Sequence, residues 1–123
     1  MRVPLALYGA VLCLCVVPIL SAQDAAKVDP KHYTVMSEND QVRILKVHYG
    51  PHEKSVMHSH PNSVAVFLND SKAQFTAADG TKTDMAFKAG DAQSTLAGTH
   101  LPENVGDTGM DLILIELKAA PAK

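Results

Sequence analysis

The chain has 123 residues, 11 basic against 13 acidic side chains, a formal charge of −2 and no tryptophan. Acids and lysines are interspersed with no basic block or stripe, so no nucleic-acid partner is expected. The few aromatics leave no stacking platform for bases or sugars, and the length suits one domain around one core.

Met1-Arg2 supplies a positive charge, residues 3–20 are almost wholly apolar, and Leu20-Ser21-Ala22 ends the run with small residues. That order predicts a secretory signal peptide over residues 1–22, cleaved after Ala22, and a secreted or periplasmic product. The run is nearly long enough to span a bilayer, so the alternative is an uncleaved anchor. Pro18, just ahead of the small residues, favours cleavage, which leaves no stable membrane anchor. Cys13 and Cys15 both lie in this segment. The mature chain is then without disulfide, thiol nucleophile or thiolate ligand.

Residues 23–31 are polar and alanine-rich and read as a flexible leader, with Pro30 discouraging a helix from running on. Short apolar runs separated by turn residues follow, the pattern of an all-β domain over residues 32–118. Strands are predicted over residues 33–37, 41–49, 54–60, 64–69, 72–77, 82–88, 92–96 and 111–117. In the second run the apolar parity switches at Ile44-Leu45, which predicts a bulge or a strand buried on both faces. Ala78-Asp79-Gly80-Thr81 reads as a hairpin turn. The last run, Leu112-Ile113-Leu114-Ile115, is apolar on both faces. Residues 119–123 read as a frayed tail. This spacing suits a sandwich or barrel.

The sharpest chemical feature is His58-Ser59-His60. On a strand, residues i and i+2 point to one face, so the two imidazoles can converge on one ion. Alone, the tripeptide is equally well two exposed histidines. His100 lies forty residues after His60, and an antiparallel meander or jelly roll can return it beside the pair.

These residues carry a resemblance. Gly50…His58-x-His60 resembles the first cupin motif, and Gly90-Asp91…Gly98-Thr99-His100…Asn104 the second. Glu38 to Leu45 resembles the opening strand of small one-domain cupins, and Asn104 to Thr108 with the final apolar strand resembles their ending. The resemblance covers residues 33–118. It implies a small jelly-roll β-barrel whose interior holds a divalent metal on three histidines and a glutamate. His58, His60 and His100 match the histidines, but no acid occupies Asn62, Ser63, Val64 or Ala65. The spacing from Gly50 to His58 is longer than usual, and the second motif lacks its proline near Leu96-Ala97. Three imidazoles suit zinc, copper, iron or nickel; manganese also stays open. Without an anionic ligand the site is more Lewis-acidic and keeps an open position. A carboxylate placed at Val64 is expected to complete the ligand set. The resemblance also implies pairing of two copies through sheet edges.

Other residues invite blander readings. His52 in its turn, and His32 and His48 outside the motifs, read as surface residues. Gln74 and Gln93 read as outward and solvated, with an inward, ligand-facing placement as the alternative. Asn104 reads as a structural hydrogen-bonding residue, scattered methionines as core filler, and Glu103 and Asp107 as solvated. No Ser-His-Asp arrangement, phosphate loop or paired carboxylates are visible, so no catalytic residue is assigned. Three functions remain: a metal-dependent enzyme such as an oxygenase acting on a small molecule; a non-catalytic metal or small-ligand binding module; or a metal-free structural barrel.

Overall fold

The computed structural model describes residues 23–119. The expected signal peptide, and all of the expected tail except Ala119, lie outside the described residues. Among the described residues, no helix is long and apolar enough to cross a membrane.

In chain order the elements are α1 (Ala25–Val28), β1 (Tyr33–Glu38), β2 (Val42–Tyr49), β3 (His58–His60), β4 (Ser63–Phe67), β5 (Ser71–Ala77), β6 (Lys82–Phe87), β7 (Ala92–Thr95), β8 (Gly98–Asn104) and β9 (Met110–Leu117). One sheet has the order β1-β2-β9-β4-β7 and the other β3-β8-β5-β6. All strand pairs are antiparallel, and the two sheets face each other as a small jelly roll. The all-β expectation holds.

The core forms where the period-2 alternation of both sheets points inward. Leu45, Val47 and Tyr49 of β2, Ala65 and Phe67 of β4, Ala73 of β5, and Met110, Leu112 and Leu114 of β9 are buried there. Phe87 stacks on Phe67 with ring centroids 3.6 Å apart. Gly80, at φ +88°, turns the hairpin between β5 and β6, a conformation that glycine adopts without a Cβ clash. Asp79 also accepts from the Thr81 N–H in this turn.

Three expectations are corrected. The irregularity predicted at Ile44-Leu45 falls on the partner strand. β2 pairs with β9 in unbroken register, whereas β1 shifts between Val35 and Ser37, leaving Met36 as the extra residue. β2 does not switch faces: Arg43 belongs to its inward parity, and a buried carboxylate accounts for the charge there. β8 is absent from the predicted strands; it contains Gly98 and Pro102, residue types that strands disfavour. It lies between β3 and β5, and the Pro102 carbonyl accepts from Ser55 N–H at 2.9 Å. The segment expected as a leader is part of the fold. Asp24 caps α1 by accepting from Ala26 N–H at 3.0 Å, Ala25 is fully buried, and Ser59 N–H donates to the Gln23 carbonyl. An isolated parallel bridge joins Asp24 to Ser59. The segment therefore covers the free edge of β3.

Candidate metal centre

β3 and β8 pair so that His58 stands opposite His100 and His60 opposite Gly98. The i, i+2 spacing puts His58 and His60 on one face, and the register supplies the third imidazole across the ladder. One ring nitrogen from each of the three lies within 4.8 Å of the others. The rings stand nearly perpendicular, with centroids 4.7 to 5.3 Å apart, an arrangement in which lone pairs rather than faces converge.

Hydrogen bonds set the tautomers. His60 Nδ1 lies 2.8 Å from Glu116 Oε1. A carboxylate only accepts, so Nδ1 carries the hydrogen and Nε2 keeps its lone pair. Likewise His58 Nδ1 donates to the Val56 carbonyl at 2.7 Å, and its Nε2 faces the Tyr33 hydroxyl at 3.1 Å. Tyr49 in turn donates to the Tyr33 oxygen at 2.7 Å. His100 Nε2 is buried and has no hydrogen-bond partner among the described residues. Burial, and then the neighbouring His60, push His58 down to about 4. Burial, His60 and His58 push His100 down to about 3. Both imidazoles are thus neutral at neutral pH, the form that ligates.

An ion fits these residues. The orphaned, buried His100 Nε2 is the decisive observation: an unpaired buried polar nitrogen costs free energy, and in the tautomer that leaves it a lone pair a bound cation removes that cost. The donor set of three neutral imidazoles suits a divalent transition metal.

Nothing in the sequence singles out Glu116. It sits at the inward end of β9, with its side chain 3 % exposed, and Arg43 pairs with its other oxygen. Arg43 also grips both carboxylate oxygens of Asp24 at 2.8 Å. This Arg43 contact is the main cause holding Asp24 below its usual range. A continuous chain therefore runs from the α1 cap through Arg43 and Glu116 to His60. An acid on the last strand, well past the second histidine motif, gives no sequence signal, because only the β2–β9 and β4–β9 registers bring it to the site.

A cavity of about 270 Å³ opens beside the histidines. His60, His100, Tyr33 and Tyr49 line it together with an apolar wall that includes Phe67, Phe75 and Leu114. Leu96, 87 % exposed, belongs to the lining and marks its solvent side.

Solved structures share this architecture. A cupin domain from Bordetella pertussis matches with a TM-score of 0.66 at 22 % identity, over 71 % of this chain and 92 % of that one. The chain has a cupin-like fold. A double-stranded β-helix protein from Klebsiella pneumoniae matches at 0.57 and 19 % identity, over 69 % and 74 % of the two chains. An RmlC-like cupin from Methanocaldococcus jannaschii matches at 0.57 and 11 %, over 69 % and 77 %. No protein-family model and no curated protein matches the sequence.

Within the cupin barrel the remaining candidates fall as follows. Val64, expected to point at the metal, does not: β4 buries Ser63, Ala65 and Phe67, and Ala65 rather than Val64 lines the cavity. Val66 is likewise outside the lining, whereas Phe67 and Leu114 belong to it. Gln74 points outward to Asp84, as expected. Gln93 instead lines the cavity, because its partner across the ladder is the inward Ala65. Asn104 is fully buried and donates to the carbonyls of Gly50 and Thr108, a structural role as expected. His48 and His52 are exposed. His32, expected at the surface, is buried: it stacks on Tyr49 and its two nitrogens face Asp29 and Glu53. The turn after α1 folds it back onto the barrel.

Proposed function

We propose that this cupin barrel binds one divalent transition-metal ion through His58, His60 and His100 and admits a small molecule to the ion's open face. The observations that carry the reading are the convergence of one ring nitrogen from each histidine to within 4.8 Å and the buried, unpartnered Nε2 of His100. A divalent ion held there supplies Lewis acidity toward an oxygen donor. The chain's own groups orient two of the ligands: Glu116 holds His60, and the Val56 carbonyl holds His58. The apolar wall excludes bulk water from the ion's open side.

Among the described residues, no carboxylate lines the cavity. That favours ligand binding at a metal over an enzyme with its own acid–base pair of carboxylates. The amino-terminal pattern of a positive charge, an apolar run and small residues supports export ahead of this domain.

The test is elemental analysis of the exported protein, purified without a histidine tag and without chelator. The recovered chain should begin at Gln23 and carry about one transition-metal ion, and His58→Ala should carry less than about a tenth of that. A His58→Ala protein that keeps one ion per chain would sink the assignment.

A further inference from the structure

The three imidazoles account for the ligands but not for Tyr33. Its hydroxyl is buried against the centre, and the hydrogen atoms around it can be placed one by one. Tyr49 O–H donates to the Tyr33 oxygen. His58 Nδ1–H is committed to the Val56 carbonyl. The Tyr33 O–H must therefore donate to the His58 Nε2 lone pair, 3.1 Å away. That lone pair is the one His58 offers an ion. Once it is taken, Tyr33 is left with a buried donor and no acceptor, which costs free energy unless an oxygen arrives beside it.

Charge points the same way. Three neutral imidazoles leave the charge of a divalent ion uncompensated. Glu116, the nearby carboxylate, is already shared between Arg43 and His60. A cation facing an apolar cavity is stabilised by an anion brought into contact with it. The cavity sets the remainder of the ligand. At about 270 Å³ it exceeds the roughly 150 Å³ apolar cavity that holds benzene in another protein. Phe67, Phe75, Leu112 and Leu114 offer the body of a ligand no hydrogen bonds. Phe75 already lies against the His100 ring, with centroids 5.4 Å apart.

From this we infer that the centre takes a small apolar monocarboxylate, its body against the phenylalanine wall and its carboxylate shared between the ion and the Tyr33 hydroxyl. The inference rests on the metal reading above. Tyr33 is then a ligand-binding residue, and it stands in for the fourth, anionic protein ligand by recruiting an external one.

The test uses benzoate as the probe, benzyl alcohol as its uncharged counterpart, and zinc-loaded protein whose zinc content is measured first. Calorimetric titration should show benzoate binding the zinc-loaded chain at least about tenfold more tightly than benzyl alcohol, and at least about tenfold more tightly than benzoate binds the metal-free chain. Tyr33→Phe, at equal zinc content, should weaken benzoate about tenfold, the loss of one hydrogen bond to a charged group. Cobalt in place of zinc gives a readout that does not depend on the variant folding: the ring protons of bound benzoate should relax faster than with zinc. Equal binding by metal-free protein, equal binding by Tyr33→Phe, or no cobalt effect overturns the inference while leaving a zinc stoichiometry near one, and the metal reading, intact. A chain that takes no zinc removes both.

Discussion

At His60 the two ring nitrogens do different work. Nε2 keeps the lone pair, and Nδ1–H is held at 2.8 Å by Glu116, whose second oxygen is held by Arg43. A carboxylate behind a ligating histidine fixes the tautomer, fixes the ring and raises ligand basicity. Glu116→Gln keeps the volume but presents its one acceptor either to His60 Nδ1 or to Arg43, not to both, and it leaves Asp24 as the carboxylate paired with Arg43. Zinc affinity should fall roughly 10- to 100-fold in competition with a chromophoric chelator, while Glu116→Asp should fall between that variant and the native chain. Unchanged affinity in Glu116→Gln would mean that the carboxylate serves only the ion pair with Arg43.

One scale up, the two elements least visible in the sequence are the ones that complete the site. β8 carries His100, yet Gly98 and Pro102 disguise it; its partners β3 and β5 lie on either side and impose the strand conformation that its own residues disfavour. The His-x-His pair on β3 was legible because a period of two needs only local sequence. Glu116 was not, since its meeting with His60 spans 56 residues and depends on register. α1 read as a leader because four helical residues have almost no intrinsic stability. What holds it is tertiary: the Asp24 cap, the fully buried Ala25, and the grip of Arg43. Asp24→Ala removes the cap and the bidentate partner together, and should cost about 1–2 kcal/mol in urea unfolding. Asp24→Asn keeps a capping oxygen and should recover part of that loss. If both variants match the native midpoint, α1 contributes nothing to holding the β3 edge.

For the whole molecule, the pattern of short strands was enough to give the class of fold, but the inside of the barrel was set by features the pattern does not encode. Val64 and Ala65 are adjacent, and either parity satisfies the sequence; the register with β9, Ala65 opposite Leu114, decides that Ala65 faces the cavity. The same enclosure gives the metal-free protein a sensitivity to acid that can be worked out in sign. In the folded chain His58 titrates near 4 and His100 near 3, against an ordinary value of 6.5. Between about pH 6.5 and those values the unfolded chain binds more protons than the folded one, so stability falls as pH falls through that window. At about 1.4 kcal/mol per unit of separation, and allowing for the coupling between the two rings, the loss from pH 7 to pH 4.5 should be roughly 2–4 kcal/mol. Thermal melts with chelator present should therefore be level above pH 7 and decline steadily below pH 6.5. His100→Phe, which puts an apolar ring against Phe75, should remove about half of that slope. Excess zinc at pH 7 should raise the melting temperature, because an ion that binds only the folded chain stabilises it by mass action, by about 4 kcal/mol at a thousandfold excess over its dissociation constant. That rise should persist to pH 4.5 and shrink only as pH nears 4, where protons begin to compete for the His58 nitrogen. A metal-free profile flat from pH 7 to 4.5 would show that the three imidazoles are hydrated in solution rather than enclosed, and the enclosed centre would go with it.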